Sequence, residues 1–149
     1  NVDYCYNISS KNPKNNCYLA VAVAIGDLNL CETTLYSDFR DDCYSDMANA
    51  KQDSTICEQI DIESIKENCY SAASQTTEEC DKIKKDEHTR FLCYVSIASK
   101  NKDAELCEEL ESEQRDFCYM ELSQVLGDRD LCKKVSNRFR HECEIGPLY

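Results

Sequence analysis

The sequence predicts an all-α protein, an α-solenoid of six antiparallel helical hairpins that each carry an intra-hairpin disulfide. Three observations predict it. Twelve cysteines recur in a two-step rhythm along 149 residues. A residue suited to capping a helix N-terminus stands four positions before every alternate cysteine. With two prolines and three glycines, the chain has little material for β-turns or flexible linkers.

Alignment on Cys5, Cys31, Cys57, Cys80, Cys107 and Cys132 gives six units, about 1–26, 27–52, 53–75, 76–102, 103–127 and 128–149, in one domain spanning 1–149. Each unit opens on Asn1, Asp27, Asp53, Thr76, Asp103 or Asp128, whose side chain can accept from the free amides of a starting helix, helix A. The residue before each cysteine is Tyr4, Leu30, Ile56, Glu79, Leu106 or Leu131, and three after it comes Ile8, Thr34, Ile60, Ile83, Leu110 or Val135. With the cysteine, these columns form one mainly apolar stripe on a helix of about two turns.

A second, longer helix B is marked by Cys17, Cys43, Cys69, Cys93, Cys118 and Cys143. Three positions earlier lies a base: Lys14, Arg40, Lys66, Arg90, Arg115 or Arg140. One position later lies Tyr18, Tyr44, Tyr70, Tyr94 or Tyr119, with Glu144 departing in the sixth unit. Val21, Met47, Ala73, Ile97 and Leu122 follow, each beside a small residue, Ala22, Ala48, Ser74, Ala98 or Ser123, which lets neighbouring helices approach closely. Gly26 and Gly127 precede N-cap aspartates, where a helix C-terminus favours a left-handed residue. The tyrosines read as a buried ladder between units. The bases read as partners for acids of an adjacent unit, such as Glu32, Glu58, Asp81 and Glu108, in exposed pairs that add little stability.

Two pairings respect the repeat. Either each A cysteine bonds the B cysteine of its own hairpin, or each B cysteine bonds the next A, which strands Cys5 and Cys143. The first uses all twelve and is favoured. A loop of about a dozen residues closed in this way stabilises by about 3 kcal/mol in the chain-entropy model, which supplements the small core of each hairpin.

Paired antiparallel helices, a fixed period, and Ala22, Ala48 and Ala98 at close contacts resemble the tetratricopeptide-like α-solenoids, including their Sel1-like relatives. The period near 25 is shorter than in those families, their Trp-Leu-Gly-Tyr pattern is absent, and the chain has no Trp. The resemblance implies a scaffold or binding role and transfers no functional residues.

Cysteine density points to an oxidising, extracellular or cell-surface location, and a start at Asn1 without a leader suits a mature secreted product. No cofactor is expected. No two cysteines are closer than eleven positions, so C-x-x-C metal and redox motifs are absent. The net charge of −12 argues against nucleic acid, and the longest apolar run, Leu19 to Ile25, is too short to span a membrane. His88 and His141 lie in non-equivalent contexts, and no nucleophile or phosphate-loop motif occurs, so no enzyme activity is expected. The acidic pairs Asp41-Asp42, Glu78-Glu79 and Glu108-Glu109 lack the alternating ligands of a calcium loop. Asn7-Ile8-Ser9 makes Asn7 a candidate glycan acceptor.

The ends differ from the middle. Residues 1–26 carry Lys11 and Lys14 against Asp3, and residues 128–149 carry five bases against four acids, so the acidity resides between them. Val2, Tyr4 and Tyr6 make one end apolar, and Ile145, Leu148 and Tyr149 form an apolar tail at the other. The expectation is an extracellular structural protein whose partner is itself, joined head to tail into a filament or fibre. The alternative is a monomeric secreted or cell-surface scaffold that binds a protein or peptide.

Overall fold

The computed structural model describes residues 3–33 and 37–146. Among these residues every regular element is helical, and six disulfides cross-link the chain. The B helices are α2 (Lys11–Ile25), α3 (Ser37–Lys51), α4 (Glu63–Ala73), α6 (Glu87–Asn101), α7 (Ser112–Val125) and α8 (Asn137–Ile145). The A segments of units 1 and 4 are single α-turns, α1 (Asp3–Tyr6) and α5 (Thr77–Cys80).

In the other four units the A segment is a 3-10 helix, Leu28–Thr33, Ser54–Gln59, Ala104–Glu109 and Arg129–Lys134, where the spacing predicts two turns of α-helix. The cap causes the difference. Asp27, Asp53, Asp103 and Asp128 each accept from the amide two residues ahead, at 2.9 to 3.0 Å. The segment then closes with an i to i+3 bond onto the cysteine carbonyl, as in Ile60 to Cys57 at 3.1 Å and Val135 to Cys132 at 3.2 Å. Three residues per turn stack the cysteine directly over the residue three later, and both reach the core. Cys57 and Ile60, Cys107 and Leu110, and Cys132 and Val135 are accordingly buried.

The same aspartates also finish the preceding helix. The amides of Asp27, Asp53 and Asp103 donate to the carbonyls of Ala22, Ala48 and Ala98, while Gly26, Gln52 and Lys102 before them have positive φ. This is the six-to-one bond of a left-handed helix end. One aspartate thus ends a B helix with its backbone and starts the next A segment with its side chain. Thr34 and the loop to Ser37 in unit 2 lie outside the described residues.

The disulfides are Cys5–Cys17, Cys31–Cys43, Cys57–Cys69, Cys80–Cys93, Cys107–Cys118 and Cys132–Cys143, each within one unit. Each B helix contacts the B helix before and after it, and A segments pack against their own B helix and the preceding one. The core is therefore a continuous row. It runs from Ala22 through Met47, Ile60, Ala73, Ile83, Ile97 and Leu122 to Val135.

The tyrosine column is buried, but its hydroxyls do not form a ladder between units. In units 2 to 5 each bonds the acid that follows the A cysteine of its own unit: Tyr44 with Glu32, Tyr70 with Glu58, Tyr94 with Asp81 at 2.9 Å, and Tyr119 with Glu108 at 2.6 Å, whereas unit 1 has Tyr6 at the acid's position. Those acids are thus occupied inside their units. Among the bases, Arg115 joins Glu108 of its own unit, Arg40 joins Asp61 of the next, and Arg140 donates to the carbonyls of Lys133 and Val135. Beside the Arg40–Asp61 pair, A-segment lysines link units. Lys82 lies 5.1 Å from the Tyr70 ring centroid and 3.1 Å from Glu58, and Lys134 lies 5.0 Å from the Tyr119 ring centroid.

A further link uses the column two residues before each B cysteine. Buried Asp41 accepts from the amides of Asp61 and Ile62, Glu67 from those of Lys84 and Lys85, and Asp116 from that of Ser136. Each carboxylate holds the A–B loop of the following unit. Asn15 occupies this position in unit 1, buried and with Nδ2 unpartnered among the described residues. In unit 4 the position is Phe91.

Candidate functional site

Phe91 marks the place where the regular cross-links stop. Among the described residues, no side-chain hydrogen bond or ion pair joins unit 4 to unit 5, whereas carboxylates staple unit 2 to 3, 3 to 4 and 5 to 6. An open groove of about 1050 Å³ lies at this junction, between α6 and α7. Its size is that of a binding cleft.

The groove floor is apolar where the same columns of units 2 and 3 are polar. One residue before the B cysteine stand Asn16, Asp42, Asn68, Leu92, Phe117 and Glu142, so only units 4 and 5 are apolar there. Two residues after it, Ser45 and Ser71 of units 2 and 3 give way to Val95 and Met120. Leu92 and Phe117 are 46% and 43% exposed. Phe117 also leans on Phe139 of α8, with ring centroids 5.3 Å apart, which fixes its ring along one side. Two adjacent large apolar side chains half in water on a chain this charged form a patch that requires an explanation.

The rim is polar and uneven. The A–B loop of unit 4 contributes Lys84 and Lys85, the first turn of α6 contributes Glu87 and His88, and α7 contributes Glu121 and Gln124. Glu67 pins the backbone beneath both lysines, through bonds of 2.8 and 2.6 Å. Asp86, also on the rim, is committed to the start of α6. It accepts from the Thr89 hydroxyl and from the amides of Thr89 and His88, and these bonds hold its carboxyl below the usual range. The lining includes no Ser, Thr, Cys or Tyr that His88 could activate as a nucleophile.

The residues singled out from the sequence are scattered. All twelve cysteines are in disulfides. Asn7 is exposed just after α1, its Nδ2 reaching only the Asp3 carbonyl at 3.4 Å. Tyr4 and Tyr6 are 77% and 75% exposed on α1, and Ile145 is exposed at the end of α8. Val2, Leu148 and Tyr149 lie outside the described residues. Among the described residues no group of three His, Cys, Asp or Glu is placed to hold a metal ion, and no helix is long and apolar enough to cross a membrane.

Sequence reasoning missed the groove residues, because it sought what the repeats share. Subtracting one repeat from the next exposes Phe91, Leu92 and Phe117 at once. No family model, curated protein or solved structure matches this chain.

Proposed function

We propose that the chain is an extracellular, non-enzymatic α-solenoid of tetratricopeptide-like architecture that binds a segment of another protein in the groove between α6 and α7. The half-exposed apolar floor of units 4 and 5, at a junction without the carboxylate staples that join units 2 to 3, 3 to 4 and 5 to 6, carries this reading. Consecutive contacts between B helices support the solenoid, with hairpins antiparallel as short A–B loops favour. Twelve paired cysteines support an oxidising compartment. Panning a random peptide display library on the oxidised chain and on a Leu92→Ser/Phe117→Ser variant tests it. Peptides with apolar anchors are expected on the first and not on the second; equal recovery from both overturns the groove as the site.

A second reading is head-to-tail association into filaments, favoured by the exposure of Tyr4 and Tyr6 on α1 and of Ile145 on α8. A heterologous contact of this kind grows without closing. Long particles in negative-stain images, lost in Tyr4→Ser/Tyr6→Ser, are its expected sign. A constant sedimentation coefficient across a concentration series dismisses it.

A further inference from the structure

From the groove geometry we infer the kind of partner: an amphipathic α-helix with an apolar stripe and carboxylates at the end that meets Lys84 and Lys85. This rests on the groove reading and adds secondary structure and charge to it.

The helix follows from hydrogen-bond accounting. Phe91, Leu92, Val95, Phe117 and Met120 form the floor and offer no hydrogen-bond donors, while the backbone amides of α6 and α7 beyond their first turns are used within the helices. An extended peptide pressed onto that floor would bury N–H and C=O groups without partners, which is costly. A helix has already satisfied its own, so only apolar area is buried. Side chains at i, i+3, i+4 and i+7 then meet the cleft between two neighbouring helices as a ridge meets a groove.

The charge follows from a second column that departs from the repeat in the same place. Four and five residues after the A cysteine stand Ser9-Ser10, Asp61-Ile62, Glu111-Ser112 and Ser136-Asn137, but Lys84-Lys85 in unit 4. Two exposed lysines therefore stand at the mouth of the apolar groove, ahead of Asp86, which is bonded to the start of α6, and Glu87 in the first turn of that helix. No carboxylate is bonded to either ammonium group among the described residues. The bonds from Glu67 go to their backbone amides, so the loop is rigid and both cations are presented outward. Glu121 of α7, which also lines the groove, sets the reverse preference where it stands. Such charges select and orient a partner more than they tighten it.

Three synthetic peptides share one Leu stripe at helical spacing and carry Glu, Gln or Lys in the first turn. Their affinities for the intact oxidised chain are measured by fluorescence anisotropy, alongside Lys84→Glu/Lys85→Glu and Leu92→Ser/Phe117→Ser. Tightest binding of the Glu peptide is expected, at least tenfold over the Lys peptide, with the order reversed in the charge variant and all binding lost in the apolar one. Equal binding of the three, abolished only by the apolar variant, overturns the acidic partner and leaves the groove standing. No binding of any peptide overturns both readings. Concentration-dependent dimerisation of the chain that buries Phe117 assigns the groove to a second copy and overturns the inference.

Discussion

Each unit from the second to the fifth closes with two links between its A segment and its B helix, a disulfide and, beside it, a tyrosine hydroxyl on a carboxylate. The second link makes the fold sensitive to pH at both extremes. Burial and the bond to Glu32 push Tyr44 up to about 12, and burial and the bond to Asp81 do the same for Tyr94. Tyr70 and Tyr119 are pushed up as well, first by burial and then by Glu58 and Glu108. A tyrosine that ionises later when folded keeps its proton where the unfolded chain has lost it, so this contribution is whole below about pH 10 and drains as pH rises toward 12. Absorbance of tyrosinate and far-ultraviolet circular dichroism followed together above pH 10 are expected to show these four rings ionising as the helices melt. Ionisation completed with the helical signal intact contradicts the clamp. Below about pH 4 the opposite sign holds for Glu58 and Glu108, whose bonds to Tyr70 and Tyr119 lower them, and stability falls as they gain protons. Tyr119→Phe removes one such bond with little change of shape and is expected to cost about 1 kcal/mol in urea unfolding; no loss would make the bond incidental.

Between elements, the buried carboxylates before the B cysteines hold the A–B loops of units 3, 4 and 6 in place. Glu67→Ala strands the amides of Lys84 and Lys85 and is expected to cost about 1–3 kcal/mol. Native-state hydrogen exchange should find Asp61, Ile62, Lys84, Lys85 and Ser136 protected, and the equivalent Glu111 and Ser112, which receive no carboxylate, exchanging faster. Equal rates at all of these sites dismiss the staples. The helical character, the aspartate caps of the A segments and the pairing of cysteines were legible in the sequence because they repeat, and six copies of a spacing outweigh any single ambiguity. The 3-10 form of the A segments was not legible, since Asp at an N-cap serves either helix and the choice depends on the Asx bond and on how the cysteine meets the core. Nor was the Tyr–carboxylate pairing, because Glu58 and Tyr70 lie twelve residues apart and meet only after the disulfide has folded one segment onto the other. The groove fell between the two cases. Leu92 and Phe117 were in plain view, but their meaning comes from what Asp42 and Asn68 do at the same positions.

At the scale of the whole molecule, every covalent cross-link closes within a unit, over sequence separations of 11 to 13, and none bridges two units. Cohesion between units is left to packing, the buried carboxylates and the lysine contacts, and among the described residues no side-chain hydrogen bond or ion pair crosses the junction at Phe91. The disulfides consequently govern how far the protein can be stretched. Under tension the units should separate singly, and each oxidised unit can release only the residues outside its loop, roughly 50 Å of contour, against roughly 85 Å once reduced. Single-molecule force measurements with and without reductant read this difference directly, and identical step lengths contradict it. The first rupture should fall between units 4 and 5. A chain built in this way yields in short, reversible increments and keeps nearly half its length in reserve behind bonds that a pulling force alone does not open.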